Sequence, residues 1–329
     1  MMEETSLQVA LRNLPENASE AVVSTTFFAP HVLEALGFSQ SGGEAIPEFD
    51  TGKGAADYVA RKNIGDDIFL HTQTNPYLVC ELKGRDINLE EGSTQYRRAV
   101  QQLKRKYLSA PKCRSAKWGL LTNSSHIQLF RKHNKVIHPT TPCLEISPDT
   151  IDNTIATIRK KIEQPIKALT IAVYNNKGGV GKTTTTVNLA SILALAKKKV
   201  LVVDFDPNQQ DLTSALGIPL SDGKVYEALD NRDADLRNAI QRYVPPIKKT
   251  SEYDLGFDVL PADKILVGME EYQLKQRWSK TKLYKKLTAF RNEYDYILID
   301  SPPNWRVFSQ QALYAADVVL IPAKHNNIF

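Results

Sequence analysis

One glycine-rich stretch decides the fold of the second half of this chain: Tyr174-Asn175-Asn176-Lys177-Gly178-Gly179-Val180-Gly181-Lys182-Thr183-Thr184. An apolar run typical of a strand precedes it, and apolar residues at helical spacing follow it. A strand, a glycine-rich turn and a helix N-terminus form a phosphate cradle, because backbone N–H groups point inward and the helix dipole adds roughly half a positive charge. Lys182 can then reach the β- and γ-phosphates, and the Thr183 hydroxyl can hold Mg²⁺.

A second lysine, Lys177, stands ahead of the paired glycines. The spelling Lys-Gly-Gly-Val-Gly-Lys-Thr-Thr resembles the deviant Walker A motif of the ParA/MinD family of ATPases. The resemblance implies ATP and Mg²⁺ as cofactors, catalytic roles for Lys177 and Lys182, and an ATP-dependent homodimer in which Lys177 reaches the partner's phosphates. The implied nucleotide-binding residues are Lys177, Gly178, Gly179, Val180, Gly181, Lys182, Thr183 and Thr184.

Two later strand ends continue this resemblance. A β-branched run predicts a buried parallel strand that delivers Asp204 and Asp206 at its C-terminal end, where open α/β sheets place their chemistry. The family has Asp-x-Asp-Pro-Gln here, whereas this chain has Asn208 in place of the glutamine. The resemblance implies that Asp204 supports the Mg²⁺ shell and that Asp206 orients the attacking water. A further strand ends at Asp300, a Walker B type position. The implied magnesium residues are Thr183, Asp204 and Asp300.

The rest of the second half gives coarser patterns. Residues 223–244 are predicted to be helical, residues 272–290 to form one basic amphipathic helix with a solvated face, and residues 315–322 to form a strand. In ParA/MinD relatives further strands and helices follow, including the loop that holds the adenine base. The expectation is therefore a ParA-type domain that is either truncated at its C-terminus or unusually short, with the base poorly held.

Two carboxylates and a lysine stand on predicted strands of the first half. Asp57 lies on the first strand, and Glu81 and Lys83 lie on the second, where residues two apart share a face. If the strands are neighbours, these side chains converge and can bind Mg²⁺ and position a water for phosphodiester attack. The alternative is a strand-end carboxylate beside a surface ion pair worth under about 1 kcal/mol.

The order of elements resembles the PD-(D/E)XK nuclease fold, and most closely the N-terminal domain of the restriction subunit of type I restriction enzymes. The matching positions are Glu20, Asp57-Tyr58, Glu81-Leu82-Lys83, Gln102 and Thr122-Asn123. The resemblance implies catalytic roles for Asp57, Glu81 and Lys83, and a Mg²⁺ or Mn²⁺ site formed by Asp57 and Glu81 with Glu20 as a further ligand. Ala56 stands where the family's proline precedes the aspartate.

Three local predictions frame this region. A helix capped by Asn17 or Ser19 should be kinked or split at Pro30, and a loop should contain Gly42, Gly43 and Pro47. Further on, Ser147-Pro148 predicts the start of a connecting helix. Its apolar stripe consists of Ile151, Ile155, Ile158 and Ile162.

Charge in the first half is one-sided. Residues 92–144 contain no Asp or Glu, which favours contact with a polyanion backbone and predicts non-specific DNA as a partner. A solvated basic helix face is the alternative. The basic residues of this stretch are Arg97, Arg98, Lys104, Arg105, Lys106, Lys112, Arg114, Lys117, Arg131, Lys132 and Lys135.

The 329 residues, 42% of them hydrophobic and 24% charged, suit about two α/β domains. We expect a restriction-endonuclease-like domain at 1–145, a connecting helix at 146–166 and a P-loop NTPase domain with a mostly parallel sheet at 167–329. The three cysteines have no metal-ligand spacing, and no apolar run is long enough for a membrane span or a signal peptide. These features predict a cytoplasmic protein.

Three functions fit these patterns. The first is a ParA-like switch ATPase coupled to a DNA-acting nuclease domain, in DNA restriction, defence or maintenance. The second is a plasmid or chromosome partition ATPase whose N-terminal domain binds DNA without cleaving it. The third is a MinD-like regulatory or adaptor ATPase. A protein partner that stimulates ATP hydrolysis would suit each of them.

Overall fold

The computed structural model describes residues 4–246 and 256–323. The chain divides into two compact units, Met1–Pro165 and Ile166–Phe329, called here the N-terminal and C-terminal units. Each unit is built around its own sheet.

The N-terminal unit contains a seven-stranded sheet in the order β1-β2-β3-β4-β5-β6, with β7 paired to β5. Only the β3–β4 pair is parallel, because a helix crosses between these two strands. The strands are β1 (Ala45–Asp50), β2 (Ala55–Ala60), β3 (Leu78–Leu82), β4 (Trp118–Thr122), β5 (His126–His133), β6 (Val136–Pro139) and β7 (Leu144–Glu145).

Helices cover both faces of this sheet. One core contains Leu7, Phe28 and the isoleucines of α5, and the other contains Leu103 and Leu108 of the crossing helix. The helices are α1 (Ser6–Asn13), α2 (Glu20–Val22) with a π-helix (Val23–Leu33), α3 (Phe69–Thr72), α4 (Thr94–Gln101) with a π-helix (Gln102–Leu108), and α5 (Ile151–Glu163).

Three local predictions for this unit need correction. Pro47 lies in β1 rather than in a loop, since β1 is an edge strand that tolerates a missing backbone donor. The helix at Pro30 is not split, because the chain continues through it as a π-helix. Helix α5 begins at Ile151 and not at Pro148, because the carbonyl of Ser147 closes a turn by accepting the amides of Thr150 and Ile151.

The C-terminal unit contains a six-stranded sheet in the order β10-β11-β9-β12-β8-β13. All pairs are parallel except β10–β11, which confirms the predicted mostly parallel sheet. The strands are β8 (Leu169–Val173), β9 (Val200–Asp204), β10 (Gln241–Tyr243), β11 (Phe257–Leu260), β12 (Tyr296–Asp300) and β13 (Val318–Leu320).

Short helices surround this sheet, and two of the helical predictions need correction. The predicted helix at 272–290 is two helices, because Trp278 leaves the helical path and buries its indole with a hydrogen bond to Asp230. Residues 223–244 end in strand β10 rather than in a helix. The helices are α6 (Lys182–Leu195), α7 (Asp211–Ala215), α8 (Lys224–Asp230), α9 (Glu271–Arg277), α10 (Lys282–Thr288) and α11 (Val307–Ala315).

Candidate functional site

The glycine-rich loop joins β8 to the N-terminus of α6. Gly179 and Gly181 have φ values of 70° and 89°, a left-handed conformation that L-residues with side chains rarely adopt. A Cβ placed at Gly178, Gly179 or Gly181 would meet no atom within 4 Å, so the loop encloses open space. The loop therefore has the backbone shape and the room of a phosphate cradle.

The two lysines of the loop differ in exposure. Lys182 is buried, and its Nζ donates a 3.5 Å hydrogen bond to the carbonyl of Lys177 across the loop. Lys177 is exposed, and its backbone N–H donates to Oδ1 of Asn175. Val180 is half-buried and Thr184 is exposed. Lys182 thus lies inside the cradle, whereas Lys177 lies at its surface.

Three aspartates lie at the carboxyl ends of β9 and β12, beside the loop. Asp300 and Asp204 are directly opposite each other in the parallel register of these strands. Thr183 Oγ1 donates a 2.7 Å hydrogen bond to Oδ2 of Asp300, which joins the start of α6 to the end of β12. The amide of Asp206 donates to Oδ1 of Asp204 at 3.3 Å. The structure thus brings the predicted magnesium residues and the predicted water-orienting residue to one edge of the sheet.

Burial governs the protonation of these aspartates. All three are almost fully buried, and burial raises the pKa of Asp300 to about 7 and that of Asp204 to about 6. The hydrogen bond from Thr183 opposes the shift at Asp300. Burial also raises the pKa of Asp206. A cluster of carboxylates with raised pKa values would be stabilised by a bound divalent cation.

Thr213 belongs to this site and was not predicted. Its hydroxyl donates to Oδ2 of Asp204 at 2.6 Å, its backbone N–H donates to the same oxygen at 2.9 Å, and its Oγ1 accepts the amide of Ala262. Thr213 therefore fixes the carboxylate of Asp204. A threonine on a short helix carries no sequence signal for this role.

A second candidate site lies in the N-terminal unit. Strands β2 and β3 are neighbours, as the convergence of Asp57, Glu81 and Lys83 required. Lys83 Nζ lies 2.6 Å from Oε1 of Glu81 and 3.0 Å from Oε2 of Glu20, and Asp57 Oδ2 accepts the amide of Leu82. We call these four side chains, Glu20, Asp57, Glu81 and Lys83, the acidic cluster.

Glu81 is the buried centre of the acidic cluster. Its side chain is 0% exposed, and neither of its oxygens has a partner with hydrogen-bond geometry, although Lys83 lies at ion-pair distance. Burial and then the charge of Asp57 raise the pKa of Glu81 to about 7, and burial raises that of Asp57 to about 6. Burial lowers the pKa of Lys83, but the charges of Glu81 and Glu20 outweigh it, and the net shift is upward.

The fit of the acidic cluster to a metal ion is partial. The unpartnered oxygens of Glu81 suit a cation, yet no group of three or more His, Cys, Asp or Glu side chains in the described residues is arranged to hold one. Glu48, which was not predicted, adds negative charge that raises the pKa of Asp57. It stands in β1 with a φ of 47°, and the register of Pro47 with Tyr58 places it opposite Asp57.

Other motif positions of this unit have structural contacts. Gln102 donates to the hydroxyl of Tyr107, Thr122 donates to the carbonyl of His126, and Asn123 accepts the amides of Ser125 and His126. Asn123 thereby closes the turn between β4 and β5.

The basic stretch of the N-terminal unit divides into two groups. Lys112 pairs with Asp50, Lys104 lies over the ring of Phe130, and Lys132 Nζ donates to the carbonyls of Leu108, Cys113 and Arg114. These side chains are used within the fold. The exposed basic residues are Arg97, Arg98, Arg105, Lys106, Arg114, Lys117 and Lys135, together with the paired Lys112, and Arg131 is half-buried.

These features are those of a P-loop NTPase fold with a mostly parallel sheet. Residues 168–328 match the family model AAA_31, an AAA domain. The sporulation initiation inhibitor protein Soj of Bacillus subtilis is 42% identical over 156 residues, which are 47% of this chain and 57% of Soj. The chromosome partitioning protein ParA of Myxococcus xanthus is 41% identical over 154 residues, 46% of this chain and 50% of that protein.

Cobyrinic acid a,c-diamide synthase from Mycobacterium smegmatis, with bound ADP and magnesium, is 33% identical with a TM-score of 0.40, covering 47% of this chain and 60% of that one. Residues 168–328 are therefore similar to Soj and ParA proteins. The chain spans about half the length of the curated relatives it matches. No helix in residues 4–246 and 256–323 is long and apolar enough to cross a membrane.

Proposed function

We propose that this chain is a partition-type ATPase whose C-terminal unit binds and hydrolyses Mg²⁺-ATP as a dimeric switch and whose N-terminal unit binds DNA. The observation that carries the proposal is the contact between Thr183 and Asp300 beneath an open glycine loop. The similarity of this half to Soj and ParA proteins supports the same function.

The loop and its neighbours fit Mg²⁺-ATP. Loop amides would donate to the phosphates, Lys182 would neutralise their charge from inside the cradle, and Thr183 would hold the metal ion. The cation supplies charge neutralisation at the oxygens of the transferred group. Asp300 and Asp204 would hold the water ligands of that cation. Asp206, next to them, would orient the attacking water through its carboxylate.

Lys177 would complete the nucleotide site of a second copy of the chain, so the proposed site belongs to a dimer. Its exposure, in contrast to the burial of Lys182, suits a side chain that completes the site of a second copy. Association would then depend on the γ-phosphate, and hydrolysis would remove the tie between the copies. The ATPase thereby works as a switch rather than as a motor.

The test is nucleotide hydrolysis by the purified full-length chain. We expect slow ATP hydrolysis that requires Mg²⁺, and loss of hydrolysis but not of ATP binding in Asp206→Ala. Lys280→Ala, which removes an exposed lysine between α9 and α10, is the matched control and should hydrolyse ATP at the wild-type rate. Absence of both ATP binding and hydrolysis in the wild type would refute the proposal.

A second candidate function is a DNA-cleaving N-terminal unit controlled by the same ATPase. The specific observation in its favour is the acidic cluster, with Asp57 and Glu81 on adjacent strands and Lys83 within 2.6 Å of Glu81. Glu81 is fully buried and has only the ion pair with Lys83 to offset the cost of its burial. Asp57 and Glu81 would hold Mg²⁺ or Mn²⁺, with Glu20 nearby, and Lys83 would stabilise the anionic transition state.

Plasmid nicking separates the two candidates. The nuclease candidate requires nicking of supercoiled DNA with Mg²⁺ or Mn²⁺ that is lost in both Asp57→Ala and Glu81→Ala. Asp50→Ala is the control, because Asp50 is an exposed strand-end carboxylate of the same sheet, paired with Lys112. DNA binding without metal-dependent nicking would leave the partition-type function alone.

A further inference from the structure

The carboxylate of Asp204 accepts more hydrogen bonds on one oxygen than on the other. Asp204 ends β9 and is 4% exposed. Its Oδ2 accepts the hydroxyl of Thr213 at 2.6 Å and the backbone N–H of Thr213 at 2.9 Å. In the described residues its Oδ1 accepts one longer hydrogen bond, at 3.3 Å from the amide of Asp206. A carboxylate has about four acceptor positions, two on each oxygen, so Oδ2 is filled and Oδ1 keeps one position open.

The direction of the Thr213 hydroxyl is fixed by its two neighbours. Its Oγ1 accepts the backbone N–H of Ala262 at 2.9 Å, and Ala262 lies just beyond β11, the strand beside β9. An amide N–H can only donate, and an ionised carboxylate can only accept. The hydroxyl proton therefore points to Asp204, and the hydroxyl joins the ends of two adjacent strands.

Burial and branching hold Thr213 in one orientation. Thr213 is 0% exposed on α7, and its branched Cβ restricts the first side-chain torsion. A threonine in a helix often bonds back to a carbonyl of the preceding turn, whereas here the hydroxyl crosses to β9. The carboxylate of Asp204 cannot rotate without losing both bonds from Thr213, so Thr213 sets the plane of that carboxylate.

We propose that Thr213 is a positioning residue for ATP hydrolysis, which fills Oδ2 of Asp204 and leaves Oδ1 to hold the water ligands of bound Mg²⁺. The inference rests on the proposed function, because it concerns the metal ion of the same site. Thr213 acts through Asp204 and not on the substrate. Side chains that orient the groups around a metal ion typically contribute roughly 10- to 100-fold to metal affinity or activity.

Three substitutions of Thr213 test the hydroxyl in the full-length chain. Thr213→Val keeps the branched Cβ and the backbone N–H but removes the hydroxyl, so kcat at saturating Mg²⁺ should fall at least about tenfold. The KM for ATP should change by less than about threefold, since Lys182 and the loop amides are untouched. Thr213→Ser keeps the donor and should stay within about threefold of the wild-type kcat, and Thr213→Cys, with a weak S–H donor, should lie between the other two.

Thr170→Val is the matched control. Thr170 is also 0% exposed, and its Oγ1 has no hydrogen-bond partner in residues 4–246 and 256–323. The same change of side chain should therefore leave kcat and metal affinity at the wild-type values. Urea unfolding of the nucleotide-free proteins checks that each variant is folded. If Thr213→Val does not fold, the comparison of Thr213→Ser with Thr213→Cys decides the same question.

Mn²⁺ binding gives a readout that does not depend on turnover. Electron paramagnetic resonance of free Mn²⁺ measures the affinity with a non-hydrolysable ATP analogue present. The measurement uses a Glu81→Gln background, because this substitution removes a carboxylate proposed to bind Mn²⁺ in the N-terminal unit. We expect Thr213→Val to weaken Mn²⁺ binding at least about tenfold, and Thr213→Ser and Thr170→Val to leave it within about threefold.

Different results would overturn the inference and the proposed function. Wild-type kcat and Mn²⁺ affinity in Thr213→Val would overturn the inference and leave the ATPase intact. Equal losses in Thr213→Ser and Thr213→Val would also overturn it, because the hydroxyl would then not be the group that matters. A wild-type chain that neither binds nor hydrolyses ATP would overturn the proposed function, and the inference with it.

Discussion

Oγ1 of Thr183 donates a 2.7 Å hydrogen bond to Oδ2 of Asp300, a carboxylate whose pKa burial raises to about 7. The contact connects the first turn of α6 with the end of β12, so the loop and the neighbouring strand hold each other in place. The carboxylate is costly to ionise in the nucleotide-free protein and is useful only when a cation shares its charge.

Asp300→Asn should therefore stabilise the nucleotide-free protein while abolishing ATP hydrolysis. The folded-state pKa of Asp300 is raised from 3.8 to about 7, so stability that is fully present below about pH 4 is lost progressively as pH rises to about 7. At about pH 8 the amide should raise the free energy of unfolding by about 1–3 kcal/mol, with a smaller gain at about pH 5. Urea unfolding at the two pH values measures this. A less stable variant at the higher pH would contradict it.

Lys177→Ala and Lys182→Ala should have different effects. Lys182 is buried inside the loop, so its removal should abolish ATP binding. Lys177 is exposed, and its removal should leave ATP binding nearly unchanged but prevent ATP-dependent dimerisation. Calorimetry measures the first effect and light scattering the second, with Lys280→Ala as the control. A Lys177→Ala protein that dimerises as well as the wild type would exclude the role across the dimer.

Mn²⁺ binding to the N-terminal unit should strengthen as pH rises. Burial raises the pKa of Glu81 to about 7 and that of Asp57 to about 6, so protons compete with a cation at these carboxylates. Between about pH 6 and pH 8 we expect the affinity to increase roughly tenfold or more. Electron paramagnetic resonance of free Mn²⁺ gives the affinity. The measurement uses the Thr183→Ala variant, because this substitution should weaken Mn²⁺ binding at the candidate site of the C-terminal unit. Glu81→Gln should bind weakly at both pH values, and pH-independent binding by the parent would contradict the prediction.

Charge removal on α4 should weaken DNA binding in a salt-dependent way. Arg97 and Arg98 are exposed at the start of the acid-free stretch. Arg97→Ala/Arg98→Ala should lower the slope of log K against log salt by about 1–2, because each phosphate contact contributes about 0.9. Fluorescence anisotropy with a random-sequence duplex measures the slope. The control variant Arg232→Ala/Lys280→Ala removes two exposed charges from the C-terminal unit. An equal change of the salt slope in this control would show that DNA does not bind specifically to α4.

Substitution of Asp263 should lower the free energy of unfolding more than substitution of any other buried carboxylate in the described residues. Asp263 is 0% exposed and accepts hydrogen bonds from the Ser221 hydroxyl and from the amides of Gly223, Val225, Tyr226 and Ile265. Asp263→Ala leaves these buried donors unsatisfied and should cost about 3 kcal/mol or more. Asp263→Asn keeps an acceptor and should cost less. Urea unfolding ranks the two variants, and equal losses would contradict this account.

Sequence patterns could indicate the candidate nucleotide site because its residues are close together in the chain. Gly178 to Gly181 occupy one loop, Lys182 and Thr183 begin the helix that follows it, and the apolar runs before Asp204 and Asp300 are long enough to identify buried parallel strands. The similarity of residues 168–328 to the AAA_31 family model and to Soj supports the predicted fold of this half of the chain.

The contacts that lie far apart in sequence were not predictable in this way. Thr213 reaches Asp204 through the packing of α7 against β9, and Pro47 is compatible with β1 only because that strand lies at an edge. The break at Trp278 likewise depends on its tertiary partner Asp230. Local propensity is overruled in each case by tertiary structure.

The facing carboxylates of the N-terminal sheet have a consequence for design. The register of Tyr58 with Cys80, extended by one residue, places Asp57 opposite Glu81, and like charges directly opposite each other destabilise a sheet. A sequence chosen for this backbone on thermostability alone would replace both residues, and selection for heat resistance without selection for activity should remove this pair early. The rate at which Asp57 and Glu81 are substituted under such selection would measure how far function, rather than stability, favours these two residues.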